Sequence, residues 1–195
     1  MKTKIAKVIS IITVVPFSAL SLLTTVFLFK DTVFVGNSHW YGISILCLTV
    51  IPLSAYILKN FIPFYKNQGR RGERRLAFIM GIIGQVSGMI TAFIFNAPKG
   101  VKIIFFAYFL SGLVLSSTNA IIKFKASGHA CGVSGPLALL FYFFSYRIWP
   151  AVLILPLVFW ARLQLKRHTI RELFSGTFIG VIYTLIVIAV STGSI

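Results

Sequence analysis

Long apolar blocks separated by short polar clusters make up the pattern of this chain. Seven blocks stand out: Val8–Phe29, Tyr41–Leu58, Leu76–Phe95, Ile103–Ile122, Ala130–Tyr146, Trp149–Leu163 and Leu173–Val190. A helix needs about 20 mainly apolar residues to cross a bilayer, where backbone polar groups find no water and must pair within the segment. The pattern therefore predicts an all-α fold, a polytopic membrane helix bundle of six or seven transmembrane helices. The interruptions have physical causes. Asn96-Ala97-Pro98-Lys99-Gly100 reads as a turn, since Pro98 and Gly100 both disfavour continuing a helix. Tyr146-Arg147-Ile148-Trp149-Pro150 sets an arginine and an interfacial aromatic beside a helix-starting proline. The fifth and sixth blocks are short, and one long kinked helix is the competing parse. Lys2, Lys4 and Lys7 precede the first block as in a signal peptide, but its apolar run is longer than a signal core and reads as an anchor. Gly81, Gly84 and Gly88 have the small-residue spacing of close helix packing. There is no internal repeat. The chain divides into residues 1–97, N-terminal spans with a basic loop over 59–75, and residues 98–195, a second group of spans, within one membrane domain.

Composition strengthens this picture. Hydrophobic residues make up 57% and charged residues 11%, where a soluble domain carries about 25% charged. Lys and Arg number 19 against three acids, for a formal charge of +16. In a soluble chain that excess would suggest nucleic acid. Here the bases lie in clusters between apolar blocks, which is a topology and anionic-lipid signal, so no nucleic-acid partner is expected. Seven spans place 15 basic residues on one side and Lys30, Lys99, Lys102 and Arg147 on the other. The positive-inside rule makes the 15-charge side cytoplasmic, and a prokaryotic plasma membrane is the expected setting. Cys47 and Cys131 lie in apolar segments with no motif spacing and read as small buried residues.

Polar residues near membrane depth are costly and so are candidates for function. There are three histidines (His39, His129, His168) and three acids (Asp31, Glu73, Glu172). His168 and Glu172 are four apart at the start of the last span; on a helix they share a face, and the carboxylate can accept from the imidazole. That bond fixes the tautomer and makes the other ring nitrogen a better nucleophile. The plainer alternative is an ion pair that caps the helix. Upstream, Lys125-Ala126-Ser127-Gly128-His129 puts a base, a hydroxyl and a glycine before a histidine at a helix start, where backbone N–H groups and the helix dipole favour an anion. Arg162 adds a planar fork suited to phosphate oxygens. His39, beside Trp40 and Tyr41, belongs to an interfacial aromatic belt. The bases of 59–75 read most simply as a topology and headgroup patch, with the Arg70–Arg75 cluster able to fold over a site on the same face. This set suits phosphoryl transfer through a phosphohistidine. With no carboxylate cluster, neither a metal nor a cofactor is expected.

Ser127-Gly128-His129, followed by Arg162-x5-His168-x3-Glu172, resembles the second and third signature motifs of the type 2 phosphatidic acid phosphatase superfamily, membrane lipid phosphatases related to vanadate haloperoxidases. The resemblance covers roughly residues 100–190. It implies that His168 attacks phosphorus, Glu172 orients it and His129 protonates the leaving oxygen. Arg162, Ser127 and Gly128 would hold the phosphate oxygens. Three departures stand out: Glu172 replaces the usual Asp, Ala126 replaces the usual Pro, and the first motif (Lys, six residues, Arg-Pro) is missing, its charge left to Lys125, Lys123 or the Arg70–Arg75 cluster. The expected activity is metal-independent hydrolysis of a membrane lipid phosphate or diphosphate: isoprenyl diphosphate, phosphatidate or phosphatidylglycerophosphate. The competing reading is a non-catalytic membrane protein that carries or binds a phosphorylated lipid or solute. Neither the headgroup nor the oligomeric state is legible.

Overall fold

The computed structural model describes residues 2–36 and 38–193, and every regular element among them is helical. Five helical stretches are long and apolar enough to cross a membrane, or six when a bent N-terminal pair counts as one. Large apolar side chains such as Phe29, Ile94, Phe95 and Phe178 remain exposed on the outer surface of the bundle, as expected where lipid rather than water surrounds a protein.

The first expected span is broken. Helix α1 (Lys2–Ile12) stops, and α2 (Val15–Phe29) starts after a bend of 58°. Pro16 explains the break: it has no N–H to donate, and its ring would clash with the carbonyl four residues back, at Ile12, where α1 ends. Val8–Ile12 therefore belongs to α1, which packs against α9 and bears the three lysines. α3 (Ser38–Ile45) and α4 (Ile51–Leu58) are joined by one π-helical turn, Leu46–Val50, into a single span. Pro52 again accounts for the irregularity, because it leaves the carbonyl of the preceding turn without its donor. A short α5 (Pro63–Lys66) leads into α6 (Gly69–Ile94). α6 begins well before Leu76, so Arg70–Arg75 sit on its first turns and not in the expected loop. α7 (Lys99–Ala120) returns across the bundle.

α8 (Gly128–Phe144) is the central helix; every residue from Ala130 to Leu140 is buried. A 3₁₀ segment (Ser145–Leu153) and α9 (Ile154–Gln164) follow without a gap. The stretch Gly128–Gln164 is nevertheless not a straight rod. Ser145 has φ +56°, which ends α8, and side chains from the two ends of the stretch both bond Ser10. The chain doubles back, so the fifth and sixth blocks are separate legs. α10 (Ile170–Thr192) closes the bundle and packs most extensively on α8.

Small residues permit that packing. A Cβ at Gly176 would overlap the Ser127 carbonyl, and one at Gly180 would overlap the Ser134 hydroxyl and Cys131 carbonyl. Ser134 Oγ also donates to the Thr177 carbonyl at 3.1 Å, a bond between helices. On α6, Gly84 meets the Cys47 backbone and Gly88 the Phe105 ring, as the spacing suggested. Gly81 meets nothing; it lines a cavity instead. Cys47 and Cys131 are free and buried.

Candidate functional site

The close contact of α8 with α10 brings the two motif segments together. The Ser127 N–H donates to the Glu172 carbonyl at 2.9 Å, which ties the start of α8 to the start of α10. Ser127 is fully buried and is the N-cap of α8, its hydroxyl accepting from the Ala130 N–H at 3.4 Å. Its N–H and its acceptor oxygen are thus both used within the protein, and its observed task is positioning. Gly128 and His129 face a cavity.

At the start of α10, Thr169 and Glu172 form a capping box: the Thr169 hydroxyl accepts from the Glu172 N–H, and the Glu172 carboxylate accepts from the Thr169 N–H, each at 3.3 Å. The same carboxylate oxygen accepts from His168 Nδ1 at 2.6 Å. Capping and orienting are one arrangement here, not alternatives. It also accounts for glutamate in place of aspartate, because the reciprocal cap at the third helical position favours Glu or Gln. With its proton on Nδ1, a neutral His168 has its lone pair on Nε2. Burial lowers the His168 pKa below its ordinary value; the Glu172 hydrogen bond opposes this, and the nearby Arg162 and Lys125 charges add to it.

Arg162 lies near the end of α9, only 6% exposed. Its Nη1 donates to Ser10 Oγ at 2.9 Å, and its Nε has no partner. Among the described residues no carboxylate pairs with it: Glu73 pairs with Lys59, and Glu172 pairs with His168. A buried donor left unpaired costs about 1–3 kcal/mol, and more when charged. His129 Nε2 lies 3.2 Å from the Ser10 carbonyl, and since a carbonyl only accepts, this contact places the proton on Nε2. Ser10 thus holds both His129 and Arg162. Sequence reasoning missed it, since a lone serine in an apolar segment carries no local signal.

Lys125 Nζ donates to the Arg167 carbonyl at 3.2 Å, joining the two connections that carry the motifs. From α6, Arg70, Arg71 and Arg74 meet Arg167 around one shallow cleft. Arg74 is close enough to act electrostatically on both His129 and Arg162. His39 sits on the first turn of α3, toward the opposite end of the bundle. No three His, Cys, Asp or Glu side chains converge among the described residues.

A cavity of about 250 Å³ runs into the bundle from Gly128 and His129. Its walls are mostly apolar, with Val15, Leu48, Phe78, Ile82, Leu115 and Leu139 among them. The arginine cleft is separate from this chamber, and His129, which shares Ser10 with Arg162, links the chamber to the buried cation. Comparison with protein-family models, with curated proteins and with solved structures found no match.

Proposed function

We propose that this chain is a metal-independent membrane lipid phosphatase that works through a phosphohistidine, in keeping with the motif resemblance. One observation carries the reading: a buried arginine with no carboxylate partner among the described residues, one guanidinium N–H unpaired, beside two histidines of which one is oriented by a glutamate. Such a group calls for an anion, and phosphate fits its fork. In the proposed reaction, His168 Nε2 attacks phosphorus while the bond from phosphorus to the lipid oxygen breaks. His129 in its charged form, with Nε2–H on the Ser10 carbonyl, protonates that oxygen from Nδ1, and the lipid alcohol leaves. Water, giving a proton back to His129, then attacks phosphorus; the phosphorus–nitrogen bond breaks, inorganic phosphate leaves and both histidines are restored. Arg162 and the backbone at Gly128 hold the phosphate oxygens. Arg70, Arg71, Arg74 and Arg167 supply the charge that the missing first motif would have given, and Lys125 steadies the connection behind His168. The positive-inside count puts the site on the cytoplasmic face.

The test is phosphate release in detergent from isoprenyl diphosphates and glycerophospholipid phosphates, with EDTA present. Release that resists EDTA and is inhibited by vanadate supports the reading; release abolished by EDTA contradicts it. A binder without turnover is the second reading, favoured by one contact: the His129 ring is already engaged by the Ser10 carbonyl. Lipid phosphate binding that survives His168→Ala, with no release by the wild type, would select it.

A further inference from the structure

Hydroxyls inside helices of this protein normally bond a carbonyl. Ser44 donates to Trp40, Ser54 to Ile51, Ser87 to Gly84 and Ser116 to Gly112. Tyr108, Ser111 and Thr184 break that habit. All three are at least nine-tenths buried, have no hydrogen-bond partner and line the same cavity. Five buried side-chain polar atoms lack a partner among the described residues, and three of them are these hydroxyls; the others are Arg162 Nε and Thr177 Oγ1. Three of the five thus line one chamber, as in a ligand site, while the other two lie outside its lining.

Their depth identifies what they fit. Leu115 lies against Gly128 at the mouth. On α7 at 1.5 Å per residue, Ser111 lies about 6 Å below that level and Tyr108 about 10 Å below. Thr184 faces Gly135, seven residues along α8 and again about 10 Å down. In a diacylglycerol phosphate the ester carbonyls are five to seven bonds from phosphorus, on the order of 6–8 Å at ordinary bond lengths, and a hydrogen bond of about 2.8 Å extends that reach to the deeper two hydroxyls. An isoprenyl chain offers no acceptor at that depth. We infer that Tyr108, Ser111 and Thr184 form a subsite that donates hydrogen bonds to the acyl-ester carbonyls of a glycerophospholipid, and so select an ester-linked lipid over an isoprenyl or ether-linked one. This deepens the proposed function, since it assumes the phosphate sits among Arg162 and the two histidines. Phe78 and Ile82, which line the cavity and are also 49% and 41% exposed on the outer face of α6, mark the side by which tails would enter from the bilayer.

The experiment compares dioleoyl phosphatidate with its dialkyl ether analogue, which has equal tails and no carbonyls. Phosphate release and direct binding are both measured, on the wild type and on the triple variant Tyr108→Phe, Ser111→Ala, Thr184→Val. The wild type should prefer the ester lipid roughly tenfold, and the preference should fall to within about twofold in the variant. Each substitution removes an unsatisfied group with little change of shape, so the variant should melt no lower than the wild type. Equal handling of the two lipids by the wild type, or a tenfold preference retained by a folded variant, overturns the inference. Should no lipid be hydrolysed, the catalytic reading fails by itself, and the ester preference in binding still decides the subsite.

Discussion

The two ends of this bundle are built on opposite rules. At the end remote from α1, Phe27 stacks on Tyr41 with ring centroids 4.2 Å apart, Phe34 packs edge-on against both, and the Tyr41 hydroxyl pairs with Thr24 Oγ1 at 3.1 Å. That corner satisfies itself. At the basic end, Arg162 is buried with no carboxylate partner among the described residues, four arginines share a cleft, and an apolar chamber below is lined with unpaired hydroxyls. The difference separates what holds the fold from the proposed site, and substitutions should separate the two in the same way.

The sharpest break is His168→Ala. Phosphate release should fall at least about 10³-fold, with the melting temperature changed by no more than about 2 °C. At the other end the pattern should reverse. Phe34 is fully buried, and Phe34→Ala should cost about 3 kcal/mol in unfolding assays while phosphate release per folded molecule stays within about twofold. Arg162→Met tests the same contrast within the site: release should drop about 10²-fold, yet stability should hold or rise, because replacing a buried uncompensated charge with an apolar side chain removes a desolvation cost. Loss of both would show that Arg162 serves the fold.

Smaller effects sharpen the picture. The lowered pKa of His168 keeps its imidazole neutral to below the usual value of about 6.5. As pH falls through that lowered pKa the ring gains a proton, so the acid limb of the rate profile should lie below pH 6.5. Glu172 raises the His168 pKa through its hydrogen bond and charge. Glu172→Gln should therefore move the acid limb still lower while the plateau falls by tens of fold through loss of the tautomer. Ser10→Ala removes one bond to Arg162 and should cost only about fivefold.

Much of this was legible along the chain, because spans and interruptions are local properties. The break at Tyr146–Pro150 and the pairing of His168 with Glu172 both follow from spacing. Pro16 was visible too, although the apolar run around it concealed its effect on α1. What could not be read depends on distance in the chain. Ser10 meets a histidine and an arginine more than a hundred residues away, and nothing near it in the sequence marks it. Tyr108, Ser111 and Thr184 come from two helices and matter because no partner reaches them, an absence that spacing does not encode. The arginines of α6 were recognised as a cluster, but their meeting with Arg167 required the fold.

The central claim is a covalent phosphate on His168. The direct measurement is rapid quenching of the purified protein during turnover of a phosphorus-labelled lipid phosphate, followed by mapping of acid-labile, alkali-stable label to peptides. Label should appear on the peptide containing His168 and be absent in His168→Ala. Phosphate released without labelled protein, or label that persists in the variant, would contradict it.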